Sequence, residues 1–279
     1  MRTLEEALKA GRTRLRERNI TEGDLDAWYL LSYYFKIDRP GYYRDPAMVI
    51  TPEQYEGYLR LIHKREEHIP LQYITGEQEF MGLNFHVTED VLIPRQDTEI
   101  LVEQVLKRAK GKDILDLCTG SGCIAISLAV LGGTRRTVGT DISKEALVVA
   151  EQNAKSLNAN VEFIQSDMYS RVTGQFDIIV SNPPYIPTCD IAALMDEVRE
   201  HEPVIALDGR SDGLYFYQII INGLSHYLKQ GGYVFFEIGY NQGRAVSVLL
   251  EGKGITDIRI IKDLAGLDRV VCGRYVLLK

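Results

Sequence analysis

The chain has 279 residues, 45% of them apolar and 25% charged, with a formal net charge of −7. That length suits one large globular domain, or a medium domain beside a small one. The acidic balance argues against a general nucleic-acid binder, which carries a basic surface.

Residues 1–68 read as a small helical bundle. Thr3 with Glu6 makes a capping box at its start, although Glu5, Glu6 and Glu17 among the arginines argue against a signal or transit peptide. Trp28, Tyr29, Tyr33, Tyr34 and Phe35 mark a second helix, Arg39-Pro40-Gly41 reads as a breaker, and Thr51-Pro52 opens a third. The bundle holds no catalytic constellation, so its aromatics serve a core or a partner-recognition face. Residues 69–94 change character. Gln72–Gly76 and Leu83–Val87 look like strands around Phe80-Met81-Gly82, a β-hairpin that links the bundle to the domain 95–279. Asp97 or Thr98 is placed to cap a helix Glu99–Lys110, with Arg95 and Glu99 either charged dressing or part of a cofactor mouth.

Asp113–Cys118 is a buried strand, followed by Thr119-Gly120-Ser121-Gly122 and a helix from Cys123. Glycines at such a turn let backbone approach a ligand, and the helix amino terminus favours an anionic group. The run also fits the dinucleotide pattern G-x-G-x-x-A. Asp116 inside the strand end favours S-adenosylmethionine (SAM) over NAD, because a carboxylate suits an ammonium and repels a pyrophosphate. Asp141 ends the second strand, where a carboxylate can hold both ribose hydroxyls. Asp167 and Met168 follow the third strand and suit an adenine amine and ring face.

The fourth strand, Phe176–Val180, runs into Ser181-Asn182-Pro183-Pro184-Tyr185. Two prolines stop the strand in a stiff extended turn. Asn182 Oδ1 and the Pro183 carbonyl can accept from one planar NH2 group, and Tyr185 can stack on it. The plainer alternative is a rigid polar turn whose Asn caps local backbone. Pro187–Arg210 reads as a loop-rich insertion bordering the substrate entrance. Gly213–Lys229 is an amphipathic helix, Gly232–Gly239 a fifth strand and Gln242–Leu250 a helix. Ile255–Lys262 and Arg269–Leu278 make an antiparallel pair, which suits a seven-stranded methyltransferase sheet better than a dinucleotide domain. Cys118, Cys123, Cys189 and Cys272 show no CxxC spacing, so a reducing, cytoplasmic setting is expected. The five histidines form no metal constellation, and no run of 18 apolar residues exists, so neither a metal nor a membrane span is expected.

Asn182-Pro183-Pro184-Tyr185 resembles the signature of amino-methyltransferases. Together with Ile93-Pro94-Arg95-x-Asp97-Thr98-Glu99, Asp116-x-x-Thr119-Gly120-Ser121-Gly122, Asp141 and Glu202-Pro203, it resembles the HemK/PrmC family over essentially the whole chain. Cys118 stands where that family commonly has glycine, and Gln96 where it has proline. The resemblance implies a class I SAM-dependent methyltransferase fold behind a helical domain. The implied reaction methylates the side-chain N5 of the glutamine in the Gly-Gly-Gln motif of class-1 peptide chain release factors. It implies that Asp116, Cys118, Thr119, Gly120, Ser121, Gly122, Asp141, Ile142, Asp167, Met168 and Asn182 hold SAM. Asn182, Pro183, Pro184, Tyr185 and Arg95 would hold the glutamine, and the helical domain would recognise the release factor. The alternative is a nucleic-acid methyltransferase acting on adenine N6 or guanine N2, which shares the turn chemistry but needs a basic surface.

Overall fold

The structure is a computed structural model and describes residues 1–276. It separates into two compact units, Met1–Glu77 with Met195–His201, and Gln78–Leu194 with Glu202–Lys279.

In the first unit β1 (Arg2–Thr3) leads into α1 (Leu4–Glu17), followed by α2 (Gly23–Phe35), α3 (Arg39–Arg44), β2 (Val49–Ile50), α4 (Pro52–Glu66) and α5 (Leu71–Thr75). Thr3 Oγ1 accepts from Glu6 N at 3.2 Å, and Glu6 Oε2 accepts from Thr3 N at 3.1 Å, the reciprocal pair expected of a capping box. Leu4, Leu8, Leu15, Leu30, Leu31, Tyr58 and Ile62 form the core, so the helices hold together by burial of one apolar face each. Two segments differ from the sequence reading. Arg39-Pro40-Gly41 opens α3, because Asp38 Oδ1 accepts from Gly41 N at 2.8 Å and proline is tolerated in a first turn. Residues 71–75 are helical, because Ile74 is drawn into the core and left-handed Gly76 ends the turn.

The second unit opens within β3 (Glu77–Phe80), which forms the hairpin with β4 (Leu83–His86). Its turn residues Met81 (φ 54°) and Gly82 (φ 72°) both take positive φ, as a two-residue type I′ turn requires. Then come α6 (Gln96–Ala109), β5 (Asp113–Leu117), α7 (Cys123–Leu131), β6 (Arg136–Asp141), α8 (Lys144–Ser156), β7 (Glu162–Gln165) and β8 (Phe176–Ser181). The insertion is more ordered than a loop. It holds a 3-10 turn over Thr188–Ala193, α9 (Asp196–His201, counted with the first unit) and α10 (Val204–Leu207). The chain closes with α11 (Tyr215–Tyr227), β9 (Leu228–Glu237), α12 (Gly243–Glu251), β10 (Ile255–Lys262) and β11 (Asp268–Tyr275). The last strand was expected to reach Leu278; Leu277 and Leu278 lie outside the described residues.

One sheet runs in the order β10-β11-β9-β8-β5-β6-β7. β9, β8, β5, β6 and β7 are parallel, while β11 is antiparallel to both β9 and β10, as the pairing of the last two strands predicted. Alternation along each strand feeds two cores. Leu115 and Leu117 of β5 pack with α11 and α12, and Ile114 packs with α6 and α7. β5 is the switch point, with β6 and β7 on one side and β8 on the other, so the strand ends around it open into a crevice.

Asn153, wholly buried on α8, ties this frame together. Its Oδ1 accepts from His86 N at 2.7 Å, and its Nδ2 donates to the carbonyls of His86 at 2.9 Å and Ser121 at 3.0 Å. Asn153→Asp supplies no donor for those two carbonyls and buries a charge. We expect it to lower unfolding free energy by about 3 kcal/mol or more in urea denaturation, against less than about 0.5 for an exposed Asn→Asp change.

Candidate active site

The carboxyl ends of β5, β6, β7 and β8 lie along one edge and surround a cavity of about 450 Å³. Cys118, Thr119, Gly120 and Ser121 line it after β5, Asp141 and Ile142 after β6, and Asp167 and Met168 after β7. Asn182 and Pro184 line it after β8. The lining is completed by Arg95, just before α6, by Thr98 of α6 and by an apolar wall of Pro203, Ile205, Tyr215, Phe216 and Ile219. The sequence reading had no signal for that wall beyond its place after the proline turn.

The glycine turn is shaped by two different constraints. Gly120 has φ 54°, and a Cβ there would meet nothing within 4 Å, so the open space belongs to whatever approaches the backbone. Gly122 has φ 80° and a Cβ would lie 2.8 Å from Ile126 Cδ1, so it serves close packing under α7 and does not line the cavity. Cys118 is left-handed too, at φ 62°, a conformation that favours glycine.

Asp141 accepts at Oδ2 from Gly120 N at 2.9 Å and at Oδ1 from Ser143 N at 3.0 Å. A carboxylate has about four lone-pair directions, so this fixed group retains capacity for hydroxyl donors in the cavity. Burial pushes its carboxyl above the usual carboxylate range. Beside it Ile142 is 47% exposed, an apolar face at the cavity rim. Open glycine backbone, a pre-oriented carboxylate and flanking Ile142 and Met168 fit a nucleoside with an amino-acid tail. Among the described residues no group of three or more His, Cys, Asp or Glu is placed to hold a metal ion.

Asp116 departs from its expected place. It is 0% exposed and lies beneath the turn, where its Oδ2 accepts from Thr119 Oγ1 at 2.6 Å and from Ala125 N at 3.2 Å. It is therefore a buried cap on the first turn of α7 and does not face the cavity. Pro183 and Tyr185 are also outside the wall. Tyr185 turns its ring into the core, and its Oη donates to Glu237 Oε1 at 3.4 Å. Asn182 Nδ2 donates to Thr98 Oγ1 at 3.5 Å, which leaves Oδ1 as the atom to accept from an incoming group. Thr98 is consequently no helix cap: α6 begins at Gln96, and Thr98 is buried in its first turn. Arg95 pairs with buried Glu202, whose other oxygen accepts from Ile93 N at 3.3 Å. Glu99 accepts from Met81 N at 2.6 Å and holds the hairpin turn, away from the cavity wall.

Residues 6–76 match the PrmC N-terminal domain, and residues 95–197 match the Methyltransferase small domain. A release factor glutamine methyltransferase of Geobacter sulfurreducens is 42% identical over 274 residues, covering 98% of this chain and 96% of that protein. The chain belongs to the release factor glutamine methyltransferase family. Another member, from Clostridium botulinum, is 40% identical over 279 residues, 97% of this chain and 99% of its own. Solved structures share the fold. A methyltransferase from Pyrococcus furiosus superposes with a TM-score of 0.55 at 17% identity, over 71% of this chain and 91% of that one. The 16S rRNA N2 G1207 methyltransferase of T. thermophilus superposes at 0.52 with 20% identity, over 71% and 49%. The protein is thus a class I SAM-dependent methyltransferase with an amino-terminal helical domain. Among its described residues no helix is long and apolar enough to cross a membrane.

Two carboxyl groups of this enzyme titrate far from their ordinary values. Burial pushes Asp116 from 3.8 up to about 7, against the pull of Thr119 and the Ala125 N–H. Burial likewise pushes Glu237 from 4.5 up to about 7, against Thr98 and Arg269. A folded-state value above the unfolded one favours folding fully at low pH, and that contribution is lost as pH rises through about 7. Asp116→Asn cannot ionise, so raising the pH from about 5 to about 8 should move its melting temperature upward relative to the unmodified enzyme. Parallel calorimetric scans of the two proteins measure that difference.

Proposed function

We propose that this enzyme transfers the methyl group of SAM to the side-chain N5 of the glutamine in the Gly-Gly-Gln motif of class-1 peptide chain release factors. The observation that carries the reading is that Asn182 opens onto the same cavity as Gly120 and Asp141. Full-length relatives named for release factor glutamine methylation support it. The cofactor supplies an electrophilic methyl on a sulfonium. The residues proposed to hold it are Asp141 at the ribose, Asp167, Met168 and Ile142 around the base, and the Cys118–Ser121 backbone along the methionine part.

The acceptor is a poor nucleophile, because its nitrogen lone pair is delocalised into the amide carbonyl. Asn182 Oδ1 is proposed to accept one amide N–H, and the carbonyl of Pro183, next in the chain though that residue does not line the cavity, to accept the other. Two acceptors fix the plane of the amide and aim its nitrogen. Positioning of this kind contributes up to about 7–11 kcal/mol. The same acceptors stabilise the positive charge that develops on nitrogen. A strong general base is unnecessary, because the methylated amide nitrogen is acidic until it sheds its proton. Arg95, held by Glu202, borders the entrance.

Labelled SAM with a purified class-1 release factor should transfer label, and a Gln→Ala variant of the Gly-Gly-Gln motif should receive none. In the same assay Asn182→Ala should lose roughly 10²–10³-fold in kcat while keeping its SAM affinity. Transfer to RNA or DNA in place of the release factor would overturn the reading.

The helical unit is proposed to recognise the release factor. Its core is complete, yet Tyr29 and Tyr43 remain exposed, Tyr43 at 74%. Tyrosine suits interfaces because it offers large area at small entropy cost. Replacing both tyrosines with Ala should raise KM for the release factor about tenfold and leave SAM affinity unchanged by calorimetry.

A further inference from the structure

Behind the Asn182–Tyr185 turn, outside the cavity wall, lies a buried polar cluster that the roles above do not use. Glu237 ends β9 and is 2% exposed. Its Oε1 accepts from Tyr185 Oη at 3.4 Å, and Thr98 and Arg269 also act on its carboxyl. Its main-chain carbonyl accepts from Tyr217 Oη at 2.7 Å. Five residues on, Gln242 is 7% exposed. Its Nε2 donates to the carbonyls of Tyr185 at 2.9 Å and Gly213 at 3.3 Å. Its Oε1 accepts from Gly239 N at 2.9 Å, which fixes the side chain's orientation.

Tyr185 is therefore held twice, at its phenol by Glu237 and at its carbonyl by Gln242. An apolar residue would fill the Glu237 position at lower desolvation cost, so stability alone does not account for a buried acid here. Asn182 and Tyr185 are separated only by two prolines, whose fixed φ transmits the orientation of one end of the turn to the other. A group that sets Tyr185 thus sets Asn182 Oδ1.

We propose that Glu237 and Gln242 are positioning residues for methyl transfer, locking Tyr185 and through it the Asn182 turn in the geometry that receives the acceptor amide. The inference rests on the reading of that turn as the acceptor-binding element. It predicts a penalty on turnover that vanishes once the phenol is gone, which a purely structural role does not.

The test uses the full-length enzyme, labelled SAM and a purified class-1 release factor, with SAM affinity measured by calorimetry. Glu237→Gln keeps an accepting oxygen and should hold kcat within about threefold of the unmodified enzyme. Glu237→Leu should lower kcat about tenfold or more with SAM affinity unchanged, since a small misplacement of reacting groups is costly. In a Tyr185→Phe background the same Glu237→Leu change should cost less than about threefold further, because the two residues act as one unit. Gln242→Glu keeps size and acceptor but loses both donors. It should also lower kcat about tenfold with SAM affinity unchanged, and it decides the matter if Glu237→Leu does not fold. Equal costs of Glu237→Leu in both backgrounds, or unmodified kcat in Gln242→Glu, overturn the inference alone. Absence of transfer by the unmodified enzyme overturns the proposed function, and the inference with it.

Discussion

The site depends on a buried carboxylate beneath it. β5 must end and α7 must begin within a few residues, and the first N–H groups of a helix need partners. Asp116 meets that need from below, accepting from Ala125 N and Thr119 Oγ1 together. With the turn pinned on its inner side, the backbone at Gly120 is left facing open space, and Asp141 of the neighbouring strand grips it at Gly120 N. Two acidic residues on adjacent strands thus divide the work. One is sealed under the turn and shapes it, and the other is presented beside the cavity.

A similar division recurs at β8 and β9. Asn182 and Pro184 face the cavity, while Tyr185 turns inward to Glu237 and Gln242. Prolines make the turn stiff, but stiffness alone does not set its direction. That direction comes from side chains of the next strand and its following loop, which are buried and hydrogen-bonded. Elsewhere one buried charge pair follows the ordinary pattern. In the helical unit Arg65 Nε donates to Asp26 Oδ2 at 2.7 Å, and Arg65 Nη2 pairs with Glu197 Oε2 at 2.7 Å. The insertion segment Met195–His201 is thereby counted with the helices rather than with the sheet.

Much of this was legible in the sequence. Apolar β-branched runs, the glycine turn and the proline turn identify β5, β6 and β8 and the residues after them, because strand ends and breakers are local features. The antiparallel closing pair follows from the short link between β10 and β11. Thr3 with Glu6 caps α1 and Thr51 opens α4 as their sequence predicts, since a cap needs only its own next turn. Cys118, Thr119, Gly120, Ser121, Asp141, Ile142, Asp167, Met168 and Asn182 all reach one cavity because parallel strands deliver their carboxyl ends to one edge, and Arg95 joins them from the start of α6.

What tertiary structure decided is the direction in which polar side chains point and what opposes them. Asp116 and Asp141 look alike in the sequence, each an acid at a strand end. Only packing makes Asp116 a sealed cap and leaves Asp141 at the cavity. Thr98 reads as a helix cap, yet α6 starts earlier and Thr98 meets Asn182. Residues 71–75 read as a strand by composition, and the core's hold on Ile74 makes them a helix. Asn153, Glu237 and Gln242 carried no local signal for these roles, because the partners that define them are distant in sequence: 32 to 67 residues for Asn153, and Tyr185 at 52 from Glu237 and 57 from Gln242. Local chemistry writes the elements and the turns; distant partners, unreadable from spacing, decide which acid is buried and which meets the ligand.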